Sequence, residues 1–308
     1  MTDFPAIFNF DDSNSDTGGK SAAFYRLPSP NGDTFFHKPS GRYSDGLVVL
    51  DFLAEKLGLP FLSVYLNSMG TNFRHGANFA NGWSTIQPLD ARIFEGGFSP
   101  IYLDIQLLQF EQFKARTEEL YIEGASSYIR NFQAVETLSQ HGARAFWIHN
   151  MGPIGWLPYT IVYNPPKPGN MDKNGCIMSH NEVAQEFNRQ LKDRVVSQLR
   201  LRLTDAVFTY VDIYSVKFTL ISEAKKHGFT DRLGYCCGHY GEDYRLQCGK
   251  KGIVNGSEVF GAKCSNPSNY ISWDGIHYSH AANQWVANKI IEGSFSNPPI
   301  SITQAYHL

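Results

Sequence analysis

Short apolar runs of strand type alternate with segments of helical period along this chain, and that alternation constrains its fold more than any other feature. Ala6-Ile7-Phe8-Asn9-Phe10 reads as a buried strand, and Ala145-Phe146-Trp147-Ile148 and Ala206-Val207-Phe208-Thr209-Tyr210-Val211 read as further strands. Leu47, Leu50, Leu53 and Leu57 are spaced for a helix that Ser44-Asp45 can cap and that Gly58 and Pro60 stop. Ser179, with Glu182 three residues on, reads as a capping box opening a second helix. Its Val183, Phe187, Leu191, Val195 and Leu199 predict one buried face. A last helix carries Ala282, Trp285, Ile290 and Ile291. Strands alternating with helices argue for an α/β fold with a mostly parallel sheet covered on both faces. Sites in such sheets gather at the carboxyl ends of the strands.

Composition agrees with a folded core: 42% hydrophobic and 14% aromatic residues against 18% charged, over 308 residues. No repeat, low-complexity tract or linker divides the chain, so residues 1–308 are expected to form one domain. Lys plus Arg number 27 and Asp plus Glu 29, a balance without the basic excess that binding a phosphate backbone requires. Nucleic-acid reading is therefore not expected. No apolar run is long enough to span a bilayer. Met1-Thr2-Asp3-Phe4-Pro5 leads directly into a strand-like run and reads as carrying no signal peptide.

Of the five cysteines, Cys236, Cys237, Cys248 and Cys264 crowd one stretch while Cys176 stands apart. No Cys-x-x-Cys pair or neighbouring His-x-x-x-His completes a zinc site, so no metal is expected. Disulfides fit better and imply an oxidising compartment. The sequon Asn255-Gly256-Ser257 lies in the same stretch.

Two segments can carry chemistry. Asp11-Asp12-Ser13-Asn14-Ser15-Asp16 follows a strand end, where a serine would sit exposed beside backbone N–H groups. Taken alone, the segment reads as a polar surface turn. Trp273-Asp274-Gly275-Ile276-His277 places Asp and His three residues apart, close enough for the carboxylate to fix the imidazole tautomer. It also reads, alone, as an ordinary loop before a helix. Together they supply what a serine nucleophile needs, a base and a group that orients the base.

At this point the sequence resembles the plant GDSL esterase/lipases of the SGNH hydrolase superfamily, over almost its whole length. Phe8-Asn9-Phe10-Asp11-Asp12-Ser13-Asn14-Ser15-Asp16-Thr17-Gly18 is similar to the first family block, F-x-F-G-D-S-x-S-D-T-G. Gly76-Ala77-Asn78-Phe79-Ala80-Asn81-Gly82 resembles the second, and Trp273 to His277 the fifth, W-D-x-x-H. Gly41-Arg42-Tyr43-Ser44-Asp45-Gly46 and Gly152-Pro153-Ile154-Gly155 are further landmarks, and the details resemble most the early-nodulin-type branch. The resemblance implies a three-layer α/β/α, flavodoxin-like fold and a cofactor-free hydrolase of carboxylic esters. It assigns Ser13 as nucleophile, His277 as base and Asp274 as its orienting partner. The Ser13 and Gly82 amides become oxyanion donors, with Gly76 the less favoured alternative to Gly82. It also implies a secreted protein acting on a small-molecule or polysaccharide ester, with Phe79, Trp83 and Trp273 as candidate pocket walls. A catalytically dead, carbohydrate- or cell-wall-binding member is the rival expectation.

The chain departs from the family pattern in three places. No third block, G-x-N-D, is present, so its Asn oxyanion donor is missing and a strand segment is expected to be deleted before Tyr128. Asp11 stands where the family has Gly, adding a carboxylate beside Ser13 and a Cβ where the backbone is expected to need freedom. Trp156 replaces the Cys that would pair with Cys176, which leaves Cys176 as a free thiol and the other four cysteines for two disulfides.

Overall fold

The computed structural model describes residues 6–88, 98–121, 134–241 and 244–304. In chain order these hold β1 (Ile7–Asn9), α1 (Gly19–Ala23), α2 (Val49–Lys56), β2 (Gly76–Asn78), α3 (Leu103–Tyr121), α4 (Ala134–Gln140), β3 (Ala145–His149), α5 (Pro158–Tyr163) and α6 (Met178–Asp193). There follow β4 (Val207–Val211), α7 (Ile213–Ser222), β5 (Asp231–Tyr235), β6 (His239–Gly241), β7 (Tyr244–Leu246), β8 (Lys251–Val254), β9 (Ser257–Phe260), β10 (Tyr270–Ser272), α8 (His280–Glu292) and β11 (Ser296–Asn297). The three runs expected as strands form β1, β3 and β4.

Strand alternation builds the layers, because successive side chains point to opposite faces. Phe146, Ile148, Phe208 and Tyr210 face one side, against Val195 and Leu199 of the turn after α6 and Leu138 of α4. Phe10 and Phe79 stack on the same side, 5.2 Å apart, over Phe110 of α3. Ile7, Trp147 and Val211 face the other way, into a core shared with Leu53 of α2, Val216 and Leu220 of α7, and Val286 and Ile290 of α8. Helices thus cover both faces, as in a three-layer α/β/α fold.

The pairing is parallel where it matters: β1 with β2, β3 with β4, and β10 with β5. Among the described residues the strands do not join into one sheet. β1 pairs with β2 alone, while β3 belongs to a separate sheet in the order β11-β4-β3. No described strand lies between β2 and β3 in the chain to connect them. Residues 122–133, next to the expected deletion, lie outside the described residues.

Helix boundaries correct two sequence expectations. α2 begins at Val49, and its first turn is closed by Asp51, whose carboxylate accepts the Val48 N–H at 3.0 Å. Ser44-Asp45 does not cap it: Asp45 Oδ1 accepts the His280 N–H at 2.7 Å, at the start of α8. α2 does stop at Gly58, whose φ of 71° suits only glycine well. α6 begins at Met178 with no side-chain cap, since Ser179 pairs with the Asn170 side chain instead.

The expected stripe on α6 is also only half right. Val195 and Leu199 are buried, but Val183 is 64% exposed. A spacing of four residues outruns the 3.6-residue turn and drifts by about 40° per step. Asn181, Ala184 and Asn188 take the inner face instead. Asn181 accepts the Gly155 N–H at 2.9 Å, and Asn188 holds both the N–H and the carbonyl of Met151 at 2.8 Å. Buried polar groups are tolerated there because they are satisfied.

Candidate active site

The segment leaving β1 turns sharply at Asp11 to Ser15 and brings Ser13 against the loop before α8. Asp12 Oδ1 accepts the backbone and side-chain N–H groups of Asn14 at 2.8 and 2.9 Å, which closes the turn. The Asn78 side chain donates to the Ser15 carbonyl at 2.7 Å and to Thr17 Oγ1 at 2.9 Å, so β2 buttresses it from behind.

Asp274, Gly275, Ile276 and His277 form a tight turn of their own. Gly275 has φ 88°, a left-handed conformation that glycine adopts at no steric cost. Asp274 Oδ1 accepts the backbone N–H groups of Ile276 at 3.1 Å and His277 at 2.8 Å. That leaves Oδ2 against His277 Nδ1 at 2.7 Å. Burial opposes ionisation of Asp274, but His277 and these amides outweigh it and hold the carboxyl below its ordinary value. An ionised carboxylate can only accept, so Nδ1 carries the proton and Nε2 is left to accept. Nε2 lies 2.7 Å from Ser13 Oγ, across 264 residues of sequence. Tyr43 stacks on the imidazole with ring centroids 4.6 Å apart, fixing its plane. The three expected residues therefore meet in a serine-imidazole-carboxylate chain. Such a chain can take the serine proton as the oxygen attacks and return it to a leaving group.

The oxyanion side differs from expectation. The Gly82 amide donates to Asp16 Oδ2 at 2.7 Å and is not directed at Ser13. Asp16 also accepts from Gly18 at 2.7 Å, from Lys20 at 3.0 Å and from the Gly19 amide. Its burial raises its pKa, and these four amides offset that only in part. Gly76 is no substitute, because its N–H bonds the Phe73 carbonyl at 3.0 Å and it sits in register with Ile7, away from the Ser13 turn. The Ser13 N–H has no acceptor among the described residues. Sequence reasoning missed Asp16 as an amide collector. A buried Asp followed by Gly18-Gly19 was the available signal.

The buried side-chain amide of Gln106 is taken up by the Asp11 backbone and by the Ile101 carbonyl, to which it donates at 3.3 Å. It accepts the Asp11 N–H at 3.1 Å and donates to the Asp11 carbonyl at 2.9 Å. Asp11 is not among the residues with positive φ, so its backbone does not need glycine. Its carboxylate accepts the Ser15 hydroxyl at 2.9 Å. Although Asp11 keeps solvent contact, the protein packed round it, and then Asp12, push its carboxyl up to about 7. Lys217 and His149 lie in the same electrostatic neighbourhood. Although His149 keeps solvent contact, the protein packed round it, and then the Lys217 charge, lower its pKa to about 4, and burial lowers that of Lys217.

Of the aromatic residues expected to wall a pocket, Phe79 and Trp273 are core: Phe79 packs on Phe110, and Trp273 on the cysteine cluster. Trp83 does line a crevice beside His277, together with Tyr43, Tyr240 and Arg245. The cysteine-rich segment closes one wall, joined by Cys236–Cys264 and Cys237–Cys248, while Cys176 is free and buried. Trp156 is fully buried in the same core as Cys176.

The profile of the family described as "GDSL-like Lipase/Acylhydrolase" matches residues 7–122 and 115–290. The chain belongs to this family. It is similar to the plant proteins GDSL esterase/lipase At5g14450 of Arabidopsis thaliana (45% identity; 98% of this chain, 89% of the relative), an Esterase of Hevea brasiliensis (44%; 99% and 90%) and GDSL esterase/lipase ENOD8 of Medicago truncatula (40%; 98% and 90%). As a GDSL esterase/lipase it is an enzyme of ester-bond hydrolysis. These alignments extend over 348, 354 and 352 positions, more than the 308 residues of the chain, so the relatives carry residues that it lacks. The family match divides into two segments that overlap at 115–122, at the end of α3, close to where the third block is missing. Among the described residues no helix is long and apolar enough to cross a membrane, and no group of His, Cys, Asp and Glu is placed to hold a metal ion.

Proposed function

We propose that residues 1–308 act as one domain that hydrolyses carboxylic esters through Ser13, His277 and Asp274. The observation that carries this reading is the continuous chain of 2.7 Å contacts from Asp274 through His277 to Ser13. Ser13 Oγ attacks the acyl carbonyl as His277 Nε2 takes its proton, and the Asp274 carboxylate stabilises the imidazolium. The tetrahedral oxyanion forms beside the Ser13 N–H. Collapse breaks the ester C–O bond and His277 protonates the departing alcohol. Water then enters by the same route and frees the acid and Ser13.

The Gly82 amide is committed to Asp16, and the third-block Asn is absent. Loss of one oxyanion donor costs about 10²–10³ in rate, so this enzyme is a slow member of its family. Two disulfides and the exposed Asn255 at the tip of the β8–β9 hairpin support passage through an oxidising secretory compartment, with glycosylation at Asn255. The substrate on this reading is a small-molecule or polysaccharide ester.

The same two donor defects favour a second reading, a family member that binds carbohydrate or cell-wall material without turnover. A fluorophosphonate probe separates them. Labelling of Ser13 in native but not heat-denatured protein, mapped by peptide mass spectrometry, is expected. A chain that melts cooperatively yet takes no label belongs to the second reading.

A further inference from the structure

Resting on the ester-hydrolase reading, we infer that the alcohol half of the substrate is a ring bearing a carboxylate. During collapse the departing oxygen takes its proton from His277 Nε2, so the alcohol must lie on the His277 side of Ser13. The crevice on that side is lined by the aromatic residues Tyr25, Tyr43, Trp83 and Tyr240 and by two cations, Arg245 and Lys250. Asp274 is the one carboxylate lining it among the described residues, and it is turned onto His277.

The cations are held in place. The Arg245 guanidinium lies 5.3 Å from the Trp83 ring centre and 4.8 Å from that of Tyr159, and Lys250 Nζ lies 5.2 Å from the Tyr25 ring. A guanidinium already stacked on two rings loses little freedom when it pairs with a carboxylate. Trp83 adopts φ 69°, a conformation costly for a bulky residue, and it stands directly after Gly82, whose amide is anchored on Asp16. The fold thus holds the indole where it both faces the crevice and carries Arg245. Flat aromatic faces suit an aromatic or sugar ring, and the fixed cations suit a carboxylate on it. A choline-like cationic alcohol would meet repulsion.

Binding tests this without turnover. Ligand-observed NMR titration of the unaltered chain compares 4-hydroxybenzoate with 4-hydroxybenzamide, and D-galacturonate with D-galactose. The carboxylate is expected to bind about tenfold more tightly than its neutral counterpart in at least one pair, and the pair that responds identifies the ring as aromatic or sugar. Arg245→Gln should abolish that advantage, with Lys250→Gln reducing it. Equal binding in both pairs, no binding at all, or an advantage that survives Arg245→Gln overturns the inference. Turnover of 4-acetoxybenzoate and of its neutral methyl ester by the unaltered chain is measured in parallel. Carboxylate preference without turnover defeats the hydrolase reading and leaves the crevice assignment standing; turnover without carboxylate preference does the reverse.

Discussion

The Asp16 carboxylate receives the Gly82 amide at 2.7 Å, tying the end of the second family block to the turn after Ser13 across 66 residues. Four backbone amides converge on this one buried side chain. Removing it strands them in the interior, where each unpaired donor carries a desolvation cost. Asp16→Ala is expected to lower stability by about 3 kcal/mol, with Asp16→Asn costing roughly half as much. Urea unfolding checks both, and an Asp16→Ala chain as stable as the parent would show that the four amides find water.

Asp274→Asn tests the orienting role. The amide cannot fix the Nδ1-protonated tautomer, so kcat/KM is expected to fall on the order of 10³–10⁴ while substrate binding changes little. The substitution also removes an acid-sensitive stabilisation. Because the Asp274 carboxyl lies below its ordinary value in the folded chain, its contribution is complete above that value and disappears as pH falls through the folded one. The stability gap between parent and variant should therefore close in strong acid; a gap independent of pH would contradict the assignment.

Asp11 predicts the opposite pH sense. Its carboxyl is raised from 3.8 to about 7, so its contribution to stability is complete below about 4 and is lost progressively as pH rises to 7. Above 7 it also places a negative charge beside Ser13, where an oxyanion must form. Asp11→Asn is expected to raise ester turnover at pH 8 with little effect at pH 5.5, and to raise the melting temperature most at pH 8, less at pH 5.5 and hardly at all near pH 3.5. Asp11→Gly should follow it in turnover, less clearly in stability, because it also loses the Ser15 contact. Equal gains at both pH values would remove Asp11 from the account.

Cys176 should be chemically silent until the chain unfolds. It is buried, and burial first, then Asp172, push its thiol up to about 12. A thiol reagent without reductant is expected to find no reactive group in the native chain and one per chain in denaturant. Rapid native reaction would mean that the core round Trp156 opens.

The residues of the proposed catalytic chain were readable as candidates in sequence because their chemistry is partly local. Asp274 and His277 share one turn, and the polar break after Phe10 marks a strand end. The β4 run was readable for a similar reason, since a strand buried on both faces is apolar throughout; β1 and β3 are apolar runs too, although Phe8 of β1 is 37% exposed and both ends of β3 are exposed. α2 was visible but its cap was not. Asp45 is adjacent to a plausible helix start, yet it reaches α8, 235 residues away.

What the sequence alone determined, then, is which side chains can do chemistry and which segments must be buried, because both follow from residue type and local spacing. Only the tertiary structure decided where polar groups point. It set Ser13 Oγ 2.7 Å from His277, turned the Gly82 amide to Asp16 instead of an oxyanion, and left Val183 in solvent while burying Asn181 and Asn188. Hydrogen-bond direction depends on a few tenths of an ångström and a few tens of degrees, and those are set by packing between segments that sequence spacing does not relate.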